Sequence, residues 1–268
     1  MKPMQRKLFK GTLFISDTLI LLAGLLYFFQ EQLIFHPQKL AKDYTFSFPQ
    51  PFEELNIPID EHTTLNGLLF KTGSPKGLII YLHGNAGSLA SWGKVAKAYM
   101  DLNYDLFIYD YRGYGKSKGT IKSETQLYTD NQKVYEYLAH YKYKKTIIIG
   151  YSIGTGMAAQ LAATYRPDLL ILQAPYYSLT DLVQHSVPVL PTFLLKYKFE
   201  TFNTLENCSF PIILFHSDQD EVIYHHSSEK LLKVLKPGDR LITLKGQRHN
   251  GMTDNPDYLK EIKNIIDK

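Results

Sequence analysis

Three residue types that cooperate in nucleophilic acyl chemistry occur along this chain in the order serine, acid, histidine, each in a loop after an apolar run. The serine is Ser152, in "TIIIGYSIGTGMAAQLA", where Gly150 and Gly154 stand two residues to either side. A hydroxyl is a poor nucleophile until a base takes its proton, and that base must be oriented by a third group. His249, in "KGQRHNG" after the last apolar run, is the candidate base. The acid must come from "HSDQDEVI", where Asp218, Asp220 and Glu221 are all available. Asp220 is favoured because it heads D-x-x-I, a layout that turns the chain sharply and returns Ile223 to the core; Asp218 then reads as a turn former. His225 and His226 open a helix and decorate its first turn, while His36, His62, His140 and His185 have no partner visible in the sequence.

"GYSIG" matches G-x-S-x-G, a pattern that carries chemistry only on a turn between a strand and a helix. An apolar stretch suited to a strand ends at Gly150, and a small-residue stretch suited to a helix begins after Ser152. The glycines let neighbouring chain pass close to a sharp turn that holds the serine in strained φ/ψ. Unpaired N–H groups at the helix start suit a developing oxyanion. One donor is then the Ile153 N–H, and a second comes from "HGNAGS" at Asn85, where Gly84 and Gly87 let the backbone turn inward and His83 can brace the loop. Neither "HGNAGS" nor "YRGYGKSKG" has the spacing of a phosphate cradle.

The elements that must position these residues follow from the pattern. Strands are expected at Glu54–Ile59, Leu65–Lys71, Gly77–Leu82, Asp105–Tyr109, Lys145–Ile149, Leu169–Leu172, Pro211–Phe215 and Arg240–Leu244. Runs such as "GLIIYL", "TIIIG" and "PIILF" are continuously apolar, as expected of strands covered on both faces. Helices are expected at Leu89–Leu102, Glu124–Tyr141, Ile153–Tyr165, Ser227–Leu235 and Asp257–Ile266. This alternation implies an α/β fold with a mostly parallel, eight-stranded sheet flanked by helices, its first two strands forming an antiparallel hairpin at one edge. Ligand sites in such sheets lie at the carboxyl ends of the strands, where the serine, acid and histidine all arrive. Residues 175–207 leave room for a minimal cap of one or two short helices, in which Tyr176 and Tyr177 are candidates to pack against an acyl chain.

The chain resembles the α/β-hydrolase superfamily, and within it small membrane-anchored serine hydrolases of the serine aminopeptidase-like and depalmitoylase-like kind. "LIFHP", "YLHGNAGS", "YDYRGYGKSKG", "GYSIGTGMAAQLA", "APYYSLTDL", "HSDQDEVI" and "GQRHNG" carry the resemblance, in the family's order, from Leu33 to Lys268. It implies Ser152 as nucleophile, Asp220 as acid and His249 as base. The expected activity is cleavage of an ester or thioester, with a lipid or an acylated protein as possible substrate, and no metal or organic cofactor. An aminopeptidase-type amide hydrolase is the alternative within enzymes, though no acidic clamp for an α-amine is evident. A catalytically silent, membrane-tethered binding domain is the alternative outside them.

Composition sets the remaining bounds. The formal charge of +4 equals that of Lys2, Arg6, Lys7 and Lys10, so no basic stripe is left to suggest a nucleic-acid partner. Cys208 is the single cysteine, which excludes an intramolecular disulfide and a cysteine-based zinc site. Gly11–Phe29 is a 19-residue apolar stretch with one charge, Asp17. At about 1.5 Å per residue it just reaches across a hydrocarbon layer of roughly 30 Å. With basic residues ahead of it and no small-residue cleavage site after it, residues 1–32 read as an uncleaved signal anchor. The expected location is then the membrane, with residues 33–268 forming a catalytic domain on the periplasmic or extracellular side. Nothing in the sequence sets an oligomeric state.

Overall fold

Eight apolar runs become the eight strands of one sheet. They are β1 (Phe52–Pro58), β2 (Thr64–Phe70), β3 (Leu78–Leu82), β4 (Asp105–Tyr109), β5 (Thr146–Tyr151), β6 (Leu169–Gln173), β7 (Ile212–Ser217) and β8 (Arg240–Leu244). The computed structural model describes residues 17–18 and 21–267. The strand order is β1-β2-β4-β3-β5-β6-β7-β8. From β4 to β8 all pairs are parallel, while β2 runs antiparallel to both β1 and β4. The hairpin edge and the parallel body are those expected from the alternation of the sequence.

Side chains alternate across a strand, so a continuously apolar run feeds two cores. In β3, Leu78, Ile80 and Leu82 enter one core, which is completed by α4 (Glu124–Leu138), α5 (Gly154–Tyr165) and α7 (Thr201–Leu205). Ile79 and Tyr81 enter the other, completed by α3 (Ala96–Met100) and α9 (Pro256–Ile266). The helix expected over Leu89–Leu102 is divided into α2 (Leu89–Trp92), a 3₁₀ turn at Gly93–Val95 and α3. The division falls at Gly93, where a Cβ would come within 2.4 Å of the Phe48 ring. The inserted segment after β6 holds α6 (Leu179–Ser186), a 3₁₀ turn at Thr192–Leu194 and α7.

The expectation of an N-terminal membrane helix, and with it of a domain held on the non-cytoplasmic side, is overturned. Among the described residues no helix is long and apolar enough to cross a membrane. Residues 11–16, 19 and 20 of the expected span lie outside the described residues. Its remainder is helical over 21–28, turns at Phe29 and passes into α1 (Gln30–Ile34), which is bound to the body of the fold. Gln30 is buried there, and its side-chain amide donates to the Leu194 carbonyl at 2.7 Å.

Candidate active site

The sheet changes direction at β3, which has β4 on one side and β5 on the other, and a crevice forms at the carboxyl ends of strands at such a point. Ser152 stands there, between β5 and α5, with φ at +52°. An L-residue in the left-handed region costs about 1–2 kcal/mol. The surroundings hold it in place: its N–H donates to the Gln173 carbonyl at 2.9 Å, and its carbonyl accepts from the Thr155 hydroxyl at 2.6 Å. A Cβ on Gly154 would lie 2.3 Å from the Leu82 carbonyl oxygen, and one on Gly150 would lie 2.6 Å from the Gly154 oxygen. The two glycines are therefore required by close approach of backbone, which is how the turn lifts a serine above the strand ends.

His249 and Asp220 meet Ser152 from two other loops. His249 Nε2 lies 3.2 Å from Ser152 Oγ, and His249 Nδ1 donates to Asp220 Oδ2 at 2.7 Å. Asp220 Oδ1 accepts from the Val222 and Ile223 N–H groups at 2.9 and 2.8 Å. A fourth group beside the carboxylate is one that sequence reasoning missed. His216, fully buried near the end of β7, donates through Nε2 to the Ile223 carbonyl at 2.9 Å and brings that nitrogen to 3.2 Å from Asp220 Oδ2, while Ser228 Oγ engages its Nδ1. Burial of the carboxyl pushes its pKa up, but the adjacent His216 and His249 imidazoles outweigh that and hold it well below the usual carboxylate range. Asp220 is an anion surrounded by donors.

Three further residues hold the histidine loop. The Tyr151 hydroxyl donates to the His249 carbonyl, and the His249 N–H donates to Glu221 Oε2 at 3.1 Å. Tyr151 is the variable residue of G-x-S-x-G, so the pattern itself conceals it. Asp218 ties the two loops together by accepting from the Gly246 N–H at 2.8 Å.

The loop after β3 carries the expected second oxyanion donor. His83 Nδ1 lies 2.7 Å from the Gly84 carbonyl oxygen, which can only accept, so Nδ1 carries the proton. In a trans peptide the N–H points opposite to the C=O, so holding the Gly84 carbonyl aims the Asn85 N–H the other way. The Tyr114 hydroxyl donates to the Asn85 carbonyl at 2.6 Å and fixes the next peptide. His83 is itself packed against Tyr111, with ring centroids 4.3 Å apart, and its Nε2 faces Asp110 Oδ1 at 3.5 Å. Among the described residues, neither the Asn85 N–H nor the Ile153 N–H donates to another protein group.

A cavity of about 800 Å³ opens at Ser152, within the range that holds small-molecule ligands. Asn85, Ile153 and His249 line it at the reacting end, and Leu182, Val183 and Ile223 line an apolar wall. Tyr176 also lines it and donates its hydroxyl to the Ile153 carbonyl at 3.1 Å. Tyr177 takes no place in the lining; its ring stacks on Phe202 with centroids 4.4 Å apart. Leu33 and Ile34 of α1 do line it, which nothing in their spacing foretells.

The chain matches a family model for the alpha/beta hydrolase fold over residues 77–210. It is 28% identical to the protein bem46 of Schizosaccharomyces pombe over 80% of this chain and 77% of that protein. It is 26% identical to the lysophosphatidylserine lipase ABHD12 of Mus musculus over 73% of this chain and 57% of that lipase. Among solved structures, the Pyrococcus furiosus esterase Pf2001 superposes with a TM-score of 0.69 at 16% identity, over 87% of this chain and 98% of that one. The Butyrivibrio proteoclasticus protein Est1E, with ferulic acid bound, gives a TM-score of 0.63 at 19% identity, over 79% of this chain and 96% of that one.

Proposed function

The chain belongs to the α/β-hydrolase superfamily, and from that premise we propose that it is a serine hydrolase cleaving carboxylic esters or thioesters through an acyl-enzyme. The observation that carries the reading is the unbroken line from Ser152 Oγ to His249 Nε2 at 3.2 Å and from His249 Nδ1 to Asp220 Oδ2 at 2.7 Å. In this mechanism His249 Nε2 takes the hydroxyl proton as Ser152 Oγ attacks the carbonyl carbon. The imidazolium that forms is stabilised by the Asp220 anion. The Asn85 and Ile153 N–H groups receive the oxyanion, which is where preorganised donors give the largest rate gain. Collapse of the tetrahedral intermediate breaks the bond to the leaving alcohol or thiol, which takes its proton from His249. Water, deprotonated in turn by His249, then releases the acid and restores Ser152.

The apolar wall of the cavity favours an ester with a hydrocarbon acyl group, and the similarity to a lysophosphatidylserine lipase supports a lipid ester. The test is labelling of the full chain with a fluorophosphonate probe, followed by mapping of the modified peptide, for wild type, Ser152→Ala and His249→Ala. Labelling of Ser152 in the wild type, its loss in Ser152→Ala and its severe slowing in His249→Ala are expected. An unlabelled Ser152 in folded wild-type protein would refute the proposal.

A further inference from the structure

Residues 30–40 form a strap that runs from the cap to the loop bearing Asn85, and both of its ends are clamped by groups with no other evident purpose. At the first end, the buried side chain of Gln30 bridges two backbone groups of the cap segment. It donates to the Leu194 carbonyl at 2.7 Å and accepts from the Lys196 N–H at 2.8 Å. Glu31 receives the Tyr197 hydroxyl at 3.0 Å and lies 3.3 Å from the Lys196 ammonium. Phe35, buried, meets the Tyr197 ring edge-on with centroids 5.3 Å apart. At the second end, His36 and Pro37 pair in parallel with Ala86 and Gly87, and the Gln38 N–H donates to the Gly87 carbonyl at 2.9 Å. The His36 N–H donates to the Asn85 side-chain oxygen at 3.2 Å. A helix of five residues has little stability of its own, and these contacts hold α1 to the body of the fold.

Within this strap, Leu33 and Ile34 line the cavity that opens at Ser152, as do Leu182 and Val183 of α6. Leu33 remains 58% exposed, as Phe28 and Phe29 before it do at 71% and 52%. We infer that the strap is the specificity wall of the site: Leu33 and Ile34 cover the hydrocarbon of a medium- or long-chain acyl group whose carbonyl lies at Ser152. This rests on the serine hydrolase reading above and names its substrate class. The remainder of the lining fits the assignment, because Leu179, Leu182, Val183, Val187 and Ile223 add aliphatic side chains to those of the strap. A longer acyl chain reaches further along such a wall than a two-carbon one, so the strap acts on chain length and is read in the ratio of the two rates.

The experiment uses the full chain and two readouts. The first is kcat/KM for p-nitrophenyl acetate and p-nitrophenyl octanoate, and the second is binding of the fluorescent fatty acid cis-parinaric acid to the Ser152→Ala form. Each buried methylene changes affinity by about fourfold. Leu33→Glu, which places a carboxylate on the wall, is expected to lower the octanoate-to-acetate ratio by at least about tenfold and to abolish binding of the acid. Ile34→Ala, which keeps the wall apolar but opens it, is expected to lower the ratio by roughly fourfold to fifteenfold. Leu232→Glu, an exposed leucine outside the cavity, serves as control and leaves the ratio as in the wild type. Ratios within twofold of wild type in both strap variants, with Ser152 still labelled, would overturn the strap inference and leave the hydrolase reading standing. Fatty-acid binding that Leu33→Glu destroys, in a protein inert towards both esters, would support the wall and refute the hydrolase. Absence of both octanoate preference and fatty-acid binding in the wild-type strap background overturns the inference outright.

Discussion

Replacing Asp220 by asparagine separates the positioning of His249 from the mere presence of a hydrogen-bonding side chain. The carboxylate accepts three hydrogen bonds, from Val222 and Ile223 on Oδ1 and from His249 on Oδ2, and His216 Nε2 lies 3.2 Å from Oδ2. An asparagine offers one acceptor oxygen and one NH2. At the Oδ2 position the NH2 faces the His249 donor, and at the Oδ1 position it faces two N–H groups, so one or two charge-assisted bonds are lost. At about 1.5–3 kcal/mol each, the loss is roughly 1.5–6 kcal/mol of stability, or a fall of about 3 °C or more in Tm for a chain of this size. The catalytic cost comes from the imidazole, which loses its preferred tautomer and the partner of its imidazolium. In a Ser-His-Asp arrangement such a change lowers kcat by about 10⁴, which corresponds to about 5.4 kcal/mol of barrier. The stability difference also depends on pH in a direction that can be worked out. A carboxyl whose folded pKa is depressed contributes stability that is fully present above its unfolded value of about 4 and is lost as pH falls towards the folded value. Asp220 is such a group. The gap between wild type and Asp220→Asn therefore narrows as pH is lowered from 6 to 3. Urea denaturation at the two pH values and the fluorophosphonate labelling rate at pH 7 are the assays. A folded variant that labels within tenfold of the wild type, or a gap that is the same at both pH values, would refute the assignment of Asp220 as the anion that orients His249.

Tyr151→Phe removes only the hydroxyl that holds the His249 carbonyl. Leaving that buried acceptor unmatched costs about 1–3 kcal/mol, and a roughly tenfold slower labelling rate, with a lower urea midpoint, is expected. His83→Ala frees the Gly84 carbonyl and so the direction of the Asn85 N–H. Because an oxyanion donor acts in the transition state, kcat for ester hydrolysis is expected to fall by about 10² with KM little changed. His83→Asn, whose amide can donate at the position of Nδ1, should recover part of the loss, and equal losses in both variants would argue against a positioning role.

What was legible in the sequence is what depends on local spacing. A strand covered on both faces is apolar at every position, so "LIIYL" and "TIIIG" declare themselves as β3 and β5 in a parallel sheet. The glycines around Ser152 are equally local, since each is fixed by a backbone contact that any Cβ would break. The D-x-x-I layout is local as well: the Ile223 N–H bonds Asp220, and the Ile223 side chain is buried in the core. The illegible parts are contacts between distant residues that leave no period behind. His216 is the exception, standing only four positions before Asp220, but it sits in a strand and reads there as a core residue rather than as a partner of the acid. Tyr151 and His249 are 98 positions apart. The N-terminal apolar residues misled for a different reason. Hydropathy registers an apolar run, but it does not register that Gln30 and Glu31 at its end are matched by specific backbone and side-chain partners in the cap.

These distant contacts share a logic that bears on how the site keeps its shape. The nucleophile is held in an unfavourable backbone conformation, and the base and acid stand on loops, which are the least rigid parts of a fold. Each loop is therefore tied to another: the acid loop to the histidine loop through Glu221 and Asp218, and the histidine loop to the nucleophile turn through Tyr151. The Asn85 loop is tied to the strap through His36. Every tie uses a backbone N–H or C=O on one side, so each fixes the path of a loop rather than one rotamer. Loss of a single tie should then loosen neighbouring ones, and double substitutions such as Tyr151→Phe with Glu221→Gln should cost less than the product of the single effects. Rate factors that multiply independently across that pair would show that the loops are held separately, each by its own strand end.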